Sequence, residues 1–598
     1  MCEKGGFCGI CAFCGEARSV MDYRLVYENW ISNPALSAEE LSELNAISDN
    51  EKEIEYRFAK ELYFGTAGMR GIMGMGTNMM NVYTVKRATQ GLCEYVKSLG
   101  VMAKSRGVAI SFDTRRNSEL FARTAAGVLA ANGIKVFVFT EPHPVPMLSF
   151  AVRKLSAVAG IMITASHNPK EYNGYKVYGE DGAQMSPEAT AKVVEYIADT
   201  DYFSVPCSDV APFDSPVEND IIRKIGKRLE KSYFKAVLSA SLSRKIVKKQ
   251  AKTLKIVYTP IHGSGYGPVM TILGKLGITP SVVKEQTEPD GDFPTVEVPN
   301  PENAEALSMG VALAEKIKAD VVFGTDPDCD RLGVSVRNPN GEFVALTGNQ
   351  VGILLTDYIL LRLKEEKKLP KNGVIVKSFV STGLVVPIAE SYGAEVVETP
   401  VGFKYIGEKI AQYEKDKSKT FLFGFEESCG YLRGTHARDK DAVVASMLVA
   451  EMVCYYNYRG ISLFSRLNSV YEKFGYAIEK TVSVQYGGIN AMSEMNALVD
   501  GLKGRFINKI DIYNVKAVRD YSSATALTNE GDVISLDTAK TNAVYYELEN
   551  GIFVCVRPSG TEPKLKIYYF LRANDRSAAE KAMEKLTEAF TGLLAEKK

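Results

Sequence analysis

The sequence contains no hydrophobic run long enough to cross a membrane, and it carries no net charge. No stretch of about 18 or more apolar residues occurs among its 598 residues, whereas a membrane-spanning helix needs about 20. Lysine plus arginine and aspartate plus glutamate both number 72, so the basic surplus typical of nucleic-acid binding is missing. We therefore expect neither a membrane nor a nucleic acid as partner, and an anionic substrate must meet positive charge locally.

The N-terminus lacks the basic start and apolar core of a secretory signal, which predicts a cytoplasmic protein. Six of the ten cysteines are scattered singly, as in reduced intracellular proteins. The other four are Cys2, Cys8, Cys11 and Cys14. This cluster allows three interpretations: a disordered tail with incidental thiols, a zinc or iron–sulfur site, or translation that begins at Met21.

Motifs of several common protein classes are absent. G-x-S-x-G does not occur, and only four histidines are present, which argues against a serine hydrolase. GSGYGP (263–268) lacks the third glycine of a dinucleotide-binding loop. DPDCDR (326–331) cannot start an EF-hand, because Arg331 and Arg337 occupy the positions of its glycine and glutamate.

Strand-like and helix-like segments alternate along most of the chain. The alternation restarts near residues 253–267 and near 372–382, which predicts repeated α/β units with parallel sheets and helices on both faces. At roughly 100–200 residues per domain, the length predicts about three to five domains. From about residue 480 the chain is rich in strand patterns, and its final helix carries an apolar stripe of Met583, Leu586, Phe590, Leu593 and Leu594.

Ser166 and His167 stand where a buried strand is expected to end. TASHNP (164–169) follows the apolar run AVAGIMI, and Asn-Pro signals a turn. Because strand ends carry sites in many α/β proteins, this turn is a candidate site.

Three aspartates alternate in DPDCDR. If the segment is extended, Asp326, Asp328 and Asp330 point to one side. Unpaired carboxylates so near to one another repel each other. Mg²⁺, which binds carboxylate and phosphate oxygens, would remove the repulsion. The alternative is an aspartate-rich solvated turn.

Three further clusters combine glycine with polar side chains. The segments are GTAGMRG (65–71), GFEESCGYLRGTHARDKDA (424–442) and RPSGTEP (557–563). The last offers backbone N–H groups and an arginine, which together can cradle an anion. Solvated loops or ordinary turns are the alternatives. The candidate residues in these clusters are Thr66, Arg70, Glu426, Ser428, Lys440, Arg557, Ser559, Gly560 and Thr561.

Together these clusters resemble the α-D-phosphohexomutase family over roughly residues 21–598. TASHNP with YNGYK (172–176) resembles its phosphoserine loop, DPDCDR its magnesium loop, GFEES its sugar loop and RPSGTEP its phosphate loop, in the family's order. The resemblance implies three related α/β domains and a C-terminal α+β domain with a TATA-binding-protein-like topology. We place these domains, after a cysteine-rich extension over 1–20, at 21–215, 216–340, 341–470 and 471–598.

The resemblance also implies an activity. Ser166 would exchange a phosphoryl group with a sugar phosphate through a bisphosphate intermediate, as in a phosphoglucomutase that interconverts glucose 1-phosphate and glucose 6-phosphate with glucose 1,6-bisphosphate as activator. One Mg²⁺ per chain would be held by Ser166, Asp326, Asp328 and Asp330. The general base is left open among Lys176, Lys404, Lys440 and His167, while Arg70 and Arg331 would support charge.

The substrate would be bound by Thr66, by Glu426 and Ser428 at its hydroxyls, and by the 557–561 loop at its phosphate. GFEES resembles the branch that contains bacterial phosphoglucomutases, animal phosphopentomutase and glucose-1,6-bisphosphate synthase, so a phosphopentomutase or another phosphohexomutase is the runner-up. A magnesium phosphatase and a non-catalytic sugar-phosphate sensor are further alternatives. The protein is expected to be a monomer or a dimer.

Overall fold

The computed structural model describes residues 22–65, 68–215, 220–486, 491–558 and 564–595. Thr66, Ser559, Gly560, Thr561, the N-terminal cysteines and Met21 therefore lie outside the described residues. Within the described ranges, no helix is both long and apolar enough to cross a membrane.

The first unit is a six-stranded mixed sheet preceded by three short helices. Its elements are α1 (Tyr23–Ile31), α2 (Ala38–Asn45), α3 (Glu51–Phe58), β1 (Met69–Ile72), α4 (Val82–Ser98), α5 (Val101–Arg106), β2 (Val108–Phe112), α6 (Ser118–Ala131), β3 (Val136–Val138), α7 (Val145–Leu155), β4 (Ala159–Ile163), β5 (Tyr172–Gly179), α8 (Pro187–Ala198) and β6 (Ile222–Lys224). The strand order is β1-β5-β4-β2-β3-β6. The strand β6 therefore extends this sheet past residue 215, the predicted end of the first domain.

The second unit repeats the pattern with five strands. Its elements are α9 (Lys227–Ser239), α10 (Arg244–Gln250), β7 (Ile256–Thr259), α11 (Tyr266–Lys275), β8 (Ser281–Val282), α12 (Ser308–Ile317), β9 (Val321–Thr325), β10 (Leu332–Arg337) and β11 (Phe343–Leu346). The order is β11-β10-β9-β7-β8, so β11 joins this sheet beyond the predicted boundary at residue 340.

The third unit has four strands in the order β13-β12-β14-β15. Its elements are α13 (Gly348–Glu365), β12 (Gly373–Ser378), α14 (Val385–Tyr392), β13 (Glu395–Thr399), α15 (Phe403–Asp416), β14 (Thr420–Glu426), β15 (Gly430–Leu432), α16 (Ala442–Asn457) and α17 (Leu463–Phe474). The helix α16 is buried from Ala442 to Tyr456, because the second and third units pack on it within one shared hydrophobic core.

The fourth unit is an eight-stranded sheet in which every strand pair among the described residues is antiparallel. Its elements are β16 (Tyr476–Gln485), α18 (Ala491–Asp500), β17 (Lys509–Ile510), β18 (Tyr513–Asp520), β19 (Thr525–Thr528), β20 (Val533–Ser535), β21 (Val544–Leu548), β22 (Phe553–Pro558), β23 (Lys564–Ala573) and α19 (Arg576–Ala595). In α19 the predicted stripe packs on the sheet: Met583, Leu586, Phe590 and Leu594 are buried, and Leu593 is partly buried against the same core. The predicted architecture, three α/β units followed by an α+β unit, is confirmed.

The expectation of parallel sheets is wrong for the β1–β5 and β10–β11 pairs, which are antiparallel, and at one place that recurs in all three α/β units. The strands β4, β9 and β14 each have a parallel neighbour on one side, but on the other side they pair antiparallel with the next strand in sequence, β5, β10 and β15. The connecting loops span residues 164–171, 326–331 and 427–429. Such loops are too short for a parallel crossover, which needs a dozen or more residues, so the chain turns back as a hairpin.

Candidate active site

The three hairpin loops of the first three units carry the residues that the sequence singled out. Each loop contains one non-glycine residue with a left-handed backbone: Ser166 with φ 54°, Cys329 with φ 52° and Cys429 with φ 60°. The second and third loops are joined directly, since the Leu332 N–H donates to the Cys429 carbonyl at 2.9 Å. The first unit meets the second loop at α7, where the Val145 N–H donates to the Asp328 carbonyl at 2.9 Å.

Ser166 is buried against the acidic loop of the second unit. Its hydroxyl donates to Asp326 Oδ2 at 3.0 Å and lies 3.2 Å from Nδ1 of His167. Its backbone N–H donates to Oγ1 of Thr164 at 2.8 Å. The hydroxyl is thus aimed at the three aspartates rather than at solvent.

Asp326, Asp328 and Asp330 converge as predicted, and each is buried. One carboxylate oxygen of each lies within 4.8 Å of the other two. The reason given from the sequence was wrong, because the segment is not extended. The Cys329 N–H donates to the Asp326 carbonyl at 2.9 Å, which closes a turn, and the left-handed Cys329 brings Asp330 back toward Asp326.

Two lysines from different units flank the acidic cluster. Lys176 Nζ donates to Asp328 Oδ2 at 2.9 Å, and Lys440 Nζ lies 3.1 Å from Asp330 Oδ2. Among the described residues, Oδ1 of Asp328 and Oδ1 of Asp330 are buried without any hydrogen-bond partner. Orphaned buried carboxylate oxygens on converging aspartates fit a hard divalent cation, which prefers oxygen ligands.

The pKa values of these carboxyls diverge. Burial and the charge of Asp328 raise the pKa of Asp330, and burial with both neighbours raises that of Asp326 well above its usual value. Burial acts the same way on Asp328, but the charge of Lys176, its hydrogen bond and that of Asp326, and the charge of Lys440 together outweigh burial and hold the pKa of Asp328 below its usual value. Ionising all three carboxyls so close together is therefore unfavourable unless a cation neutralises their charge.

His167, Arg70 and Arg331 surround the serine. Burial, together with the charges of Arg331 and Arg70, holds the pKa of His167 well below its usual value, so the imidazole is neutral. Arg70 Nη1 donates to Asn168 Oδ1 at 2.9 Å in the serine loop. Arg331 is paired with Glu302, and its Nε lies 3.9 Å from Asp330 Oδ1.

The third loop holds Glu426 at the end of β14. Its Oε1 accepts the Gly402 N–H at 2.7 Å, and burial raises its pKa to about 7 although Lys440 lowers it. Glu427 accepts hydrogen bonds from the hydroxyls of Ser378 and Ser381 at 2.9 and 3.0 Å. Ser428 is half-buried in the same turn. Because residues 427–429 form a hairpin turn, the extended geometry expected for Glu426 and Ser428 is not present.

Lys404 lies on α15 and Arg557 on β22. Within the described ranges, neither makes a hydrogen bond or ion pair with Ser166 or the three aspartates. Lys404, near the start of α15, is buried with its Nζ 4.7 Å from the centre of the Tyr405 ring, and burial lowers its pKa. Arg557 is half-buried on β22, and its backbone pairs with Lys566.

Sequence reasoning missed the residues that support the serine loop. Thr164 Oγ1 lies 2.6 Å from Asp113 Oδ2 and 3.2 Å from Asp328 Oδ2, and Arg115 contacts the loop backbone. A signal was available: Asp113 follows β2 and Thr164 follows β4, and the carboxyl ends of parallel neighbours meet at one sheet edge. Asp439 was missed as well; it accepts hydrogen bonds from Tyr178 and Lys440, and no local pattern distinguished it.

Family models match four consecutive segments of the chain. Three are described as phosphoglucomutase/phosphomannomutase, alpha/beta/alpha domains I, II and III, and they match residues 61–203, 231–341 and 347–474. The fourth is described as phosphoglucomutase/phosphomannomutase, C-terminal domain, and matches residues 496–589.

The chain is similar to curated proteins over nearly its whole length. It is 36% identical to the phosphoglucomutase of Staphylococcus saprophyticus, with 88% of this chain and 94% of that protein covered. It is 33% identical to the phosphopentomutase of Mus musculus, and the match covers 96% of this chain and 95% of that protein.

Solved structures share the fold. The open form of Paramecium parafusin, a phosphoglucomutase, superposes with a TM-score of 0.65 at 16% identity, covering 89% of this chain and 95% of that one. A phosphoglucomutase/phosphomannomutase family protein from Burkholderia thailandensis gives a TM-score of 0.62 at 18% identity, covering 88% and 97%.

Proposed function

The chain belongs to the phosphoglucomutase/phosphomannomutase family and is an isomerase, and from that premise we propose that it interconverts glucose 1-phosphate and glucose 6-phosphate. The reaction would pass through a phosphoserine enzyme and a glucose 1,6-bisphosphate intermediate. The observation that carries the proposal is the hydroxyl of Ser166, which lies 3.0 Å from Asp326 inside a buried cluster of three aspartates.

Ser166 is the proposed phosphoryl carrier. Its phosphorylated Oγ gives the phosphoryl group to the free hydroxyl of the bound sugar phosphate, which yields the bisphosphate. After the bisphosphate turns over in the site, its other phosphate is transferred to Ser166 Oγ, and the isomeric monophosphate leaves. Phosphoryl transfer depends on in-line positioning and on neutralising charge, and a serine held in a fixed turn supports its assignment as the carrier.

The acidic cluster is the proposed magnesium site, with one ion per chain. Asp326, Asp328 and Asp330 would hold the ion together with a serine-phosphate oxygen, and their orphaned oxygens support this assignment. When bound, Mg²⁺ supplies positive charge to the transferring phosphoryl group. Lys176 and Lys440 stabilise the cluster from either side through their ion pairs with Asp328 and Asp330.

The third and fourth units are proposed to bind the sugar phosphate. Glu426 and Ser428 would contact hydroxyl groups that both orientations of the intermediate present. Arg557 and the following segment, Ser559, Gly560 and Thr561, would hold the phosphate that is not reacting, with Thr66 and Arg70 near the transferred one. Anchoring one phosphate orients the other end of the sugar toward Ser166.

His167 and Lys404 are the proposed candidates for the proton acceptor. A histidine or a lysine must be unprotonated before it can accept a proton, and the pKa values of both side chains are lowered. Lys176 and Lys440 are engaged with carboxylates, so we assign them to charge stabilisation. Replacing each candidate and recording kcat against pH separates the two.

A phosphopentomutase, acting on ribose or deoxyribose 1-phosphate, is the second candidate. It is favoured by the mouse phosphopentomutase, which is 33% identical and matches 96% of this chain. The two activities would share the chemistry at Ser166 and differ in how Glu426, Ser428 and their neighbours fit the sugar.

Phosphorus NMR tests both candidates. Purified protein with Mg²⁺ and a trace of glucose 1,6-bisphosphate is offered glucose 1-phosphate, mannose 1-phosphate or ribose 1-phosphate in separate samples. Fastest conversion of glucose 1-phosphate supports the proposal, and fastest conversion of ribose 1-phosphate replaces the substrate while keeping the mechanism. Steady release of inorganic phosphate would identify a phosphatase and overturn the proposed mutase function.

A further inference from the structure

Arg115 is a buried arginine whose side chain binds the backbone of the serine loop. Its Nη2 donates to the carbonyls of Ser166, at 2.6 Å, and of Asn168. Its Nη1 donates to the carbonyls of Pro169 at 2.8 Å and of Tyr172 at 3.1 Å. One fully inaccessible guanidinium therefore binds three carbonyls of the loop that presents Ser166 and the carbonyl of Tyr172, the first residue of β5.

The loop needs such a partner because its backbone is unfavourable. Ser166 has a φ of 54°, and a left-handed backbone costs a non-glycine residue about 1–2 kcal/mol. The carbonyls of Ser166 and Asn168 lie in the hairpin loop, outside the strand ladders, and carbonyls withdrawn from water without donors are costly. The planar five-donor fork of arginine can bind several oxygens at once, which a lysine ammonium cannot do with the same geometry.

Asp113 and Phe293 also contact the guanidinium of Arg115 and fix its orientation. Its Nε lies 3.3 Å from Asp113 Oδ2, and its Cζ lies 5.0 Å from the centre of the Phe293 ring. Asp113 also accepts hydrogen bonds from Thr164 and Ser118, both at 2.6 Å. The same carboxylate thus connects Arg115 to Thr164, which itself accepts the backbone N–H of Ser166.

Phe293 belongs to the second unit, so the arrangement crosses the boundary between units. The segment around Phe293 is held at both ends by His262, whose Nδ1 lies 3.2 Å from the Glu288 carbonyl and whose Nε2 lies 2.9 Å from Thr295 Oγ1. The segment approaches Arg115 so closely that a Cβ at Gly291 would lie 2.3 Å from the Arg116 nitrogen.

We propose that Arg115 is a positioning residue for the phosphoryl transfer, which holds the Ser166 loop in its left-handed conformation and couples that loop to the second unit through Phe293. This assignment rests on the proposed function only where turnover is concerned. Arg115 reaches carbonyl oxygens of the loop rather than the Ser166 hydroxyl, so we expect it to act on the placement of Ser166 and not on substrate affinity.

The test compares Arg115→Met and Arg115→Lys with a matched control, Arg116→Met. Arg116 is the next residue and pairs with Asp292 of the same second-unit segment, but its side chain is more than half exposed. Backbone hydrogen–deuterium exchange of residues 164–172 is measured on substrate-free protein. The kcat and KM for glucose 1-phosphate are measured with Mg²⁺ and glucose 1,6-bisphosphate.

For Arg115→Met we expect faster exchange confined to residues 164–172, a fall in kcat of about 100-fold, and a KM within about twofold of wild type. For Arg115→Lys we expect the same pattern with a fall in kcat of about 10-fold, because the ion pair to Asp113 is kept while the fork is lost. Arg116→Met should match wild type in both measurements.

Three results would overturn the assignment. The first is wild-type exchange over residues 164–172 in both Arg115 variants. The second is exchange that rises throughout the chain in Arg115→Lys, which would mean a general stabilising role. The third is an Arg116→Met variant that loses as much kcat as the Arg115 variants. Because exchange is measured without substrate, a wild-type protein that converts no sugar phosphate would overturn the proposed function and leave the exchange result to decide the role of Arg115.

Discussion

The hydroxyl of Ser166 donates a hydrogen bond of 3.0 Å to Asp326 Oδ2 across 160 residues of sequence. The serine lies in the hairpin loop of the first unit and the aspartate in the corresponding loop of the second. The acidic cluster is thus completed by a residue of another unit, so its geometry depends on how the two units pack. Changes at this contact provide the most direct tests of the proposed chemistry.

Replacing Ser166 by alanine is expected to abolish turnover. The substitution removes the proposed carrier atom, so kcat for glucose 1-phosphate should fall by more than about 10³-fold, and no phosphorylated protein should form with glucose 1,6-bisphosphate. Phosphorus NMR and intact-protein mass spectrometry measure the two effects. Ser483→Ala, at an exposed position of β16, is the control. A Ser166→Ala protein with wild-type kcat would rule out the serine as carrier.

Mg²⁺ is expected to stabilise the protein through the aspartate cluster. An ion that binds only the folded state raises stability by about 2.7 kcal/mol at a concentration of 100 times its Kd, so the melting temperature should rise with Mg²⁺ concentration. In Asp330→Asn, which removes one converging carboxylate, this rise should largely disappear. Asp209→Asn, an exposed site, should respond like wild type, and an unchanged response in Asp330→Asn would place the metal elsewhere.

Substrate affinity is expected to depend on the protonation of Glu426. Its pKa is raised to about 7, so the carboxylate that would accept hydrogen bonds from sugar hydroxyls is lost as the pH falls through 7. The KM of wild type for glucose 1-phosphate should therefore rise by up to about tenfold between pH 8 and pH 6, because the ionised fraction of a group with this pKa falls by about that factor.

The substrate phosphate also titrates near pH 6, so the informative quantity is the ratio of the wild-type KM to that of Glu426→Gln at each pH. We expect the variant to have a high KM throughout, and the ratio to approach one at low pH. A ratio that stays constant over this range would contradict a role for Glu426 as a titrating hydrogen-bond acceptor.

Protein stability is expected to fall with rising pH because of Glu479. This residue lies on β16, its Oε1 is buried without a hydrogen-bond partner among the described residues, and burial raises its pKa from 4.5 to about 7 against the effect of Thr382. A folded-state pKa above the unfolded value gives stability that is complete below about pH 4.5 and is lost as the pH rises through about 7.

Glu479→Gln keeps a neutral side chain at every pH, so it should remove this loss of about 1–3 kcal/mol. The loss is measured as the difference between the melting temperatures at about pH 5 and about pH 8. This difference should shrink in Glu479→Gln. It should stay at the wild-type value in the control Glu472→Gln, whose side chain is exposed on α17. An equal pH response in both variants would show that Glu479 is ionised in the folded protein over this whole pH range, so that its pKa is not raised.

Local patterns were sufficient for most of the fold. The buried strand at AVAGIMI and the apolar stripe of the last helix are both present, as β4 and α19. A continuous apolar run predicts a fully buried strand, and an apolar stripe at helical spacing predicts which face of a helix packs on a core. The direction of β5, β10 and β15 could not be derived in this way, because short buried runs look alike whether they pair parallel or antiparallel.

The aspartates show a correct prediction with an incorrect reason. Their convergence was expected from an extended segment, but it arises from a turn in which Cys329 takes a left-handed backbone. Alternation along a sequence records only the spacing of residues, so it cannot tell an extended segment, in which residues i and i+4 lie about 13 Å apart, from a turn that brings Asp326 and Asp330 together. Arg115 illustrates the opposite case: DTRR offered no motif, and its role is visible only once the carbonyls of residues 166–172 are placed around it.

Local sequence patterns were enough to predict the helices and strands, the order of the three α/β units and the α+β unit, and the polar side chains at the strand ends. They could not show that Ser166 contacts Asp326, that Lys440 pairs with Asp330, or that Arg115 binds carbonyls of the serine loop. Hydrophobic periodicity is a property of neighbouring residues, whereas the site is formed by loops of separate units whose contact depends on how their buried surfaces pack.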